Sequence, residues 1–180
     1  MSKIFTTKNN QQLHLRKLQS GDLDTLFNYL NGLSDSTRKR FGPHAFDKQS
    51  IADFYQDESN TGYLAIDQEN STIVAYSIIK SGYLEHDSER LRSYGIEPNR
   101  LRDCTFAPSV GDAWQSAGIG NAMFQHILTD LKYLNIKRII LWGGVQADNI
   151  KAVNYYKKYG FRTLGAFEHN GKNYDMVLDL

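Results

Sequence analysis

Residues 73–79 read Ile-Val-Ala-Tyr-Ser-Ile-Ile, with almost no polar interruption. A strand that alternates apolar and polar residues can keep one face in water, whereas a run like this one needs cover on both. It therefore predicts a sheet with helices packed against it. Leu13 and Leu15 alternate with polar neighbours, as on a strand. Leu23, Leu26, Phe27, Leu30 and Leu33 then recur at helical spacing. Residues 34–41 (SDSTRKRF) predict a second, short helix with Ser34 as N-cap. Asp47 or Ser50 caps a third, which carries Ile51, Phe54 and Tyr55 inward. The polar residues 67–72 turn the chain from a strand at 63–66 into the apolar run as an antiparallel hairpin.

Residues 82–102 are polar and charged, and they predict a surface excursion with one helical turn. A strand at 103–110 follows. Next comes a helix with Ile119, Met123, Ile127, Leu131 and Leu134 on one face, then a strand at 139–142. Residues 149–159 read as a helix capped by Asp148 and stopped by Gly160. Strands at 163–169 and 172–178 flank Asn170-Gly171, a strong hairpin signal. The fold class expected is mixed α/β (α+β), as one domain over residues 1–180. Its sheet should hold six to seven mostly antiparallel strands, with helices on both faces.

Charge and cysteine content exclude several functions. Lys plus Arg is 21 and Asp plus Glu is 20, a net charge of +1, which argues against a nucleic-acid binder driven by bulk charge. The single cysteine, Cys104, allows no intramolecular disulfide and no multi-cysteine zinc site. Histidines 14, 44, 86, 126 and 169 lack metal-ligand spacing, so no metal is expected. With no N-terminal apolar run and no stretch near 18 apolar residues, a cytoplasmic protein without membrane attachment is the expectation. Arg38-Lys39-Arg40 reads as a solvated helix face, with an acidic substrate as its alternative partner.

The segment Trp114-Gln115-Ser116-Ala117-Gly118-Ile119-Gly120-Asn121 lies between a strand and an amphipathic helix. Small residues there let backbone approach a ligand, and the helix's first N–H groups favour an anion such as phosphate. It is not a Walker A loop, because Asn121 and Ala122 follow Gly120 where Lys and Ser/Thr are needed. It is not a dinucleotide fingerprint either. Met123 stands where a small residue is required, and Gly143 and Gly144 stand where an acid is.

The pattern Gln115-x-x-Gly118-x-Gly120 resembles the pyrophosphate-binding motif of the GCN5-related N-acetyltransferases. Downstream, Asn149-x-x-Ala152-x-x-Tyr155-Tyr156-x-x-Tyr159-Gly160-Phe161 is similar to a second signature of that family. The resemblance runs from about Leu13 to the C-terminus. It implies an enzyme that transfers an acetyl group from acetyl-CoA to a primary amine, on a small molecule or a protein lysine, by direct attack in a ternary complex. Its partners are then acetyl-CoA and an amine acceptor, with a homodimer through the C-terminal hairpin left open.

The resemblance also implies site roles. Backbone at Gln115, Ser116, Ala117, Gly118, Ile119 and Gly120 cradles the pyrophosphate. Ser109 and Val110 meet the pantetheine arm, the Val110 N–H points at the thioester oxygen, and Asn149 also meets the arm. Pro108, unable to donate to a ladder, predicts a bulge or open edge there. Tyr156 matches the general acid for the leaving thiolate. SDSTRKRF and Asp112-Ala113-Trp114-Gln115 further resemble the subset that acetylates protein lysines. That subset carries a strand glutamate where this chain has Thr105. Asp103, acting through a water, and Glu85 are the substitute bases. The missing glutamate keeps a second possibility in view, an acetyl-CoA-binding sensor without turnover.

Overall fold

The computed structural model describes residues 2–180. Nine strands join in one mostly antiparallel sheet among the described residues. They are β1 (Lys3–Thr6), β2 (Gln12–Lys17), β3 (Asn60–Asp67), β4 (Ile73–Ser81), β5 (Asp103–Val110), β6 (Arg138–Leu141), β7 (Val145–Gln146), β8 (Arg162–Glu168) and β9 (Lys172–Asp179). The described residues also form six α-helices: α1 (Leu23–Asn31), α2 (Asp35–Arg38), α3 (Lys48–Phe54), α4 (Ser88–Ser93), α5 (Ile119–Tyr133) and α6 (Ile150–Lys158). The seven strands read from sequence are all present. The two additions, β1 and the two-residue β7, are too short or too polar to announce themselves. β1 exists because it pairs with β2, Ile4 opposite His14.

The chain divides into two compact units. The first holds the residues up to Ile79 together with Ala107–Tyr133, and the second holds Lys80–Phe106 with Leu134–Leu180. In the first unit β2 pairs antiparallel with β1 and β3, and Leu13 and Leu15 are fully buried, as their alternation predicts. Every residue from Ile73 to Ile79 is buried, so the apolar run is covered on both faces. Neighbours on β3 show how. A side chain at Gly62 would meet Tyr55, just past α3, whereas Tyr63 points the other way and donates to Asp130 of α5 at 3.2 Å. Helices therefore cover both sides of this part of the sheet.

Local chemistry sets the helix starts. Ser34 accepts from the Thr37 N–H to cap α2, and Asp47 accepts from the Ser50 N–H to cap α3. Helix α5 presents Ile119, Met123, Ile127 and Leu131 to the core, but Leu134 lies past its end and is exposed, a departure from the predicted stripe.

In the second unit β6 runs parallel to β5, and β9 pairs antiparallel with β6, β7 and β8. Asn170 and Gly171 both take positive φ, 50° and 106°, as a tight two-residue hairpin demands. Residues 82–102 depart from expectation. They are anchored rather than a surface excursion: Tyr83, Leu91 and Ile96 pack with Ile140 and Val177 in one apolar cluster. Arg90 of α4 also bonds the buried carboxylates of Asp87 at 2.7 Å and Asp175 at 2.5 Å, over the Phe167 ring. A charge-assisted bond of this kind contributes roughly 1.5–3 kcal/mol, enough to dock so short a helix. Among the described residues no helix is long and apolar enough to cross a membrane.

Candidate functional site

The glycine loop belongs wholly to the first unit. Strand β5 ends at Val110, and a 3-10 turn over Asp112–Trp114 leads to Gln115, which is extended. Ser116 (φ 68°) and Gly118 (φ 87°) are then both left-handed, so the backbone curls twice within three residues. Gly118 needs its missing Cβ for that conformation. The Ala122 N–H bonds back to the Gly118 carbonyl at 3.1 Å, and the loop runs into the positive end of α5. Curled backbone before a 15-residue helix is a geometry suited to an anion with two or more oxygens.

Asp112 fixes where the loop begins. Its carboxylate accepts from the Ser34 N–H at 2.9 Å, the Ser34 hydroxyl at 2.8 Å and the Thr37 hydroxyl at 2.6 Å. These bonds, the Ser34 N–H first, hold its pKa below the usual carboxylate value. The two local motifs, SDSTRKRF and Asp112-Ala113-Trp114-Gln115, are thus one hydrogen-bonded assembly, a link the sequence does not reveal. The Gln115 side chain reaches back towards the Val110 carbonyl at 3.5 Å.

Ser109 is buried and shares a hydrogen bond of 2.9 Å with the Tyr29 hydroxyl of α1. Its side chain is thus held by the protein. The β5–β6 register stops at Phe106 opposite Leu141, so β5 runs on through Pro108 without that partner, the open edge predicted from the proline. Tyr76 lies on β4 opposite Ser109, two residues from Val74, whose carbonyl accepts from Gly111 at 2.9 Å. Around Tyr76 are the Tyr55 hydroxyl, which bonds it closely, and His44 Nε2 at 3.1 Å. No sequence pattern marks this His44–Tyr76–Tyr55 group, because its members are up to 32 residues apart.

The remaining candidates lie in the second unit. Asn149, not Asp148, caps α6: its Oδ1 accepts from the Ala152 N–H at 3.2 Å. That contact explains the Asn-x-x-Ala spacing as a cap and leaves Nδ2 as the group able to donate to a ligand. Tyr156 is buried between Tyr155 and Phe161, with ring centroids 5.4 and 5.3 Å away. Burial raises its pKa, so the phenol keeps its proton at neutral pH.

Asp103 is almost fully buried, accepts from the Asn99 N–H at 2.7 Å and lies 3.7 Å from Arg138. It anchors the start of β5 and does not stand open to an acceptor. Burial raises its pKa, against the lowering by the Asn99 N–H and Arg138. Glu85 is exposed and paired with Arg100. Thr105 donates to the Gly82 carbonyl at 3.0 Å. Cys104 is buried with its pKa raised by burial, so it is no thiolate nucleophile. Among the described residues no cluster of His, Cys, Asp or Glu could hold a metal ion.

Comparison with known proteins identifies the family and the fold. The profile of the acetyltransferase (GNAT) family matches residues 29–161. No curated protein sequence matches the chain. Among solved structures, the fold is similar to the GNAT domain of PAT from S. lividans, with a TM-score of 0.77 at 19% identity over 99% of this chain and 97% of that one. It is also similar to the ribosomal-protein-S5-alanine acetyltransferase of Vibrio fischeri, with a TM-score of 0.73 at 14% identity over 99% and 96%. An N-acetyltransferase from Staphylococcus aureus Mu50 gives 0.67 at 16% identity over 93% and 98%.

Proposed function

Because this chain belongs to the GNAT acetyltransferase family, we propose that it transfers an acetyl group from acetyl-CoA to a primary amine. The observation that carries the proposal is the loop, whose two left-handed residues, Ser116 and Gly118, curl the backbone directly ahead of α5. The residues present fit the co-substrate: a diphosphate has the charge and the oxygens such a cradle takes. Bound acetyl-CoA would supply a thioester, an acetyl carbonyl joined to a good leaving group.

The chain's own groups divide the work. The backbone of Gln115–Gly120 binds the diphosphate. The Val110 N–H, on the open stretch of β5, donates to the carbonyl oxygen and stabilises the charge that develops there. Asn149 Nδ2 orients the pantetheine arm. Tyr156 supplies the proton to the departing sulfur, and its raised pKa keeps that proton in place until it is needed. Asp103 and Glu85 are both engaged in ion pairs. That observation favours a second possibility, a module that binds acetyl-CoA without turnover.

The test is calorimetric titration of the full chain with acetyl-CoA, ATP and NAD, followed by thiol release with amine acceptors. Saturable binding of acetyl-CoA alone is expected, and Gly120→Trp in folded protein should abolish it. Absence of acetyl-CoA binding by folded wild-type protein would remove the proposal. Binding without turnover on any amine would favour the sensor.

A further inference from the structure

The first unit carries an open pocket of about 530 Å3, lined by Asp35, Arg38, Lys39, Phe41, His44 and Phe46, with Ala45 between the last two. Its floor is aromatic. Phe41 lies 6.3 Å from Phe46 and 5.6 Å from Tyr76, and His44 lies 4.8 Å from Phe54, centroid to centroid. Both His44 nitrogens are engaged, Nδ1 with the Ala45 carbonyl at 2.8 Å and Nε2 with the Tyr76 hydroxyl. Burial lowers the imidazole's pKa, against the opposing Ala45 carbonyl and Asp47, so the floor is uncharged at neutral pH. An uncharged aromatic floor accepts a methylene chain or a ring.

The rim has a different character. The Arg38 guanidinium sits over the Phe46 ring, 5.2 Å from its centroid, in a cation–π contact. It makes no ion pair with any described residue. Lys39 follows it on the rim, and Asp35 is the one carboxylate in the lining. A guanidinium fixed on a ring with its donors unspent is arranged to meet a carboxylate or phosphate in two-pronged fashion. A polyamine or aminoglycoside would bring further positive charge against Arg38 and Lys39. Tyr76, in ring contact with Phe41 of the pocket, stands opposite Ser109, the neighbour of Val110.

We infer that this pocket selects the acceptor, a primary amine whose carrier also bears a carboxylate or phosphate, docked by Arg38. The inference rests on the acetyltransferase proposal and adds to it the chemistry of the acceptor. That chemistry has two sources, a small amino acid or an acidic peptide segment.

The experiment measures kcat/KM by thiol release for two matched pairs. One is 4-aminobutyrate against 1,4-diaminobutane. The other is a blocked peptide with lysine between aspartates against the same peptide with lysine between glutamines. The acid-bearing member of at least one pair should be preferred by roughly tenfold, and the responding pair identifies the source. Arg38→Ala should erase the preference through KM, leaving acetyl-CoA affinity unchanged, and Arg38→Glu should invert it. Preference for the acid-bearing member in neither pair would overturn the inference, as would a preference that survives Arg38→Ala. Wild-type protein that binds acetyl-CoA yet acetylates none of the four would overturn it too, with the co-substrate assignment intact. Loss of acetyl-CoA binding itself would instead strike the acetyltransferase proposal.

Discussion

Two groups of tyrosines, one in each unit, are used in opposite ways. In the first unit Tyr29, Tyr55 and Tyr76 each bond a protein partner: Ser109, Tyr76, and both Tyr55 and His44 respectively. In the second unit Tyr156 is just as buried, yet its hydroxyl makes no hydrogen bond to any described residue. The Tyr156 hydroxyl is not among the fully buried unpartnered atoms, of which His126 Nε2 is the one found in the described residues, so it keeps access to solvent or to a ligand. The first three tyrosines are tied into the fold by their hydroxyls, whereas the Tyr156 hydroxyl is the one the proposed reaction would use.

Removing single hydroxyls tests this contrast. Tyr156→Phe should lower kcat by roughly 100-fold while leaving acetyl-CoA affinity intact. Its unfolding free energy should shift by less than about 0.5 kcal/mol, because no bond is lost. Unchanged turnover would take Tyr156 out of the mechanism. Tyr76→Phe should do the reverse, costing about 1–3 kcal/mol in denaturant melts by leaving Tyr55 and His44 without their shared partner. A melt matching wild type would show that the group is held by packing alone. Tyr29→Phe removes one bond, to Ser109, and should cost about 1 kcal/mol by the same measurement.

The smallest effect concerns pH. His44 has a folded pKa below its unfolded value of about 6.5. The unfolded chain therefore takes up the proton first as pH falls. The stability tied to neutral His44 is present above about pH 6.5 and is lost as pH drops through the folded value. His44→Gln should flatten part of that loss in melts taken between pH 7 and 5. His126, whose pKa is also lowered by burial, contributes to the slope that remains. An unaltered slope would mean that His44 does not titrate in this range.

What could be read from the sequence was local. Ser34, Asp47 and Asn170-Gly171 act on backbone within three residues of themselves, and all three do so in the structure. The cap of α6 was misplaced by a single residue, since Asp148 and Asn149 are both good caps and only geometry separates them. The loop was legible because left-handed turns and helix starts restrict which residues fit. The polar stretch at 82–102 was misjudged because its anchor, Asp175, lies 85 residues from Arg90.

By itself, the sequence determined the order of elements, the buried run at 73–79, the glycine loop and the family. Each of these depends on neighbours within a turn of helix or a few strand residues. The tertiary structure alone decided which polar side chains were consumed by the fold. It took Asp103 with Asn99 and Arg138, Ser109 with Tyr29, and Asp112 with Ser34 and Thr37. It also set Arg38 on Phe46 beside an open pocket. The physical reason is that a hydrogen bond or a ring contact depends on separation in space, and the chain reports only separation along itself.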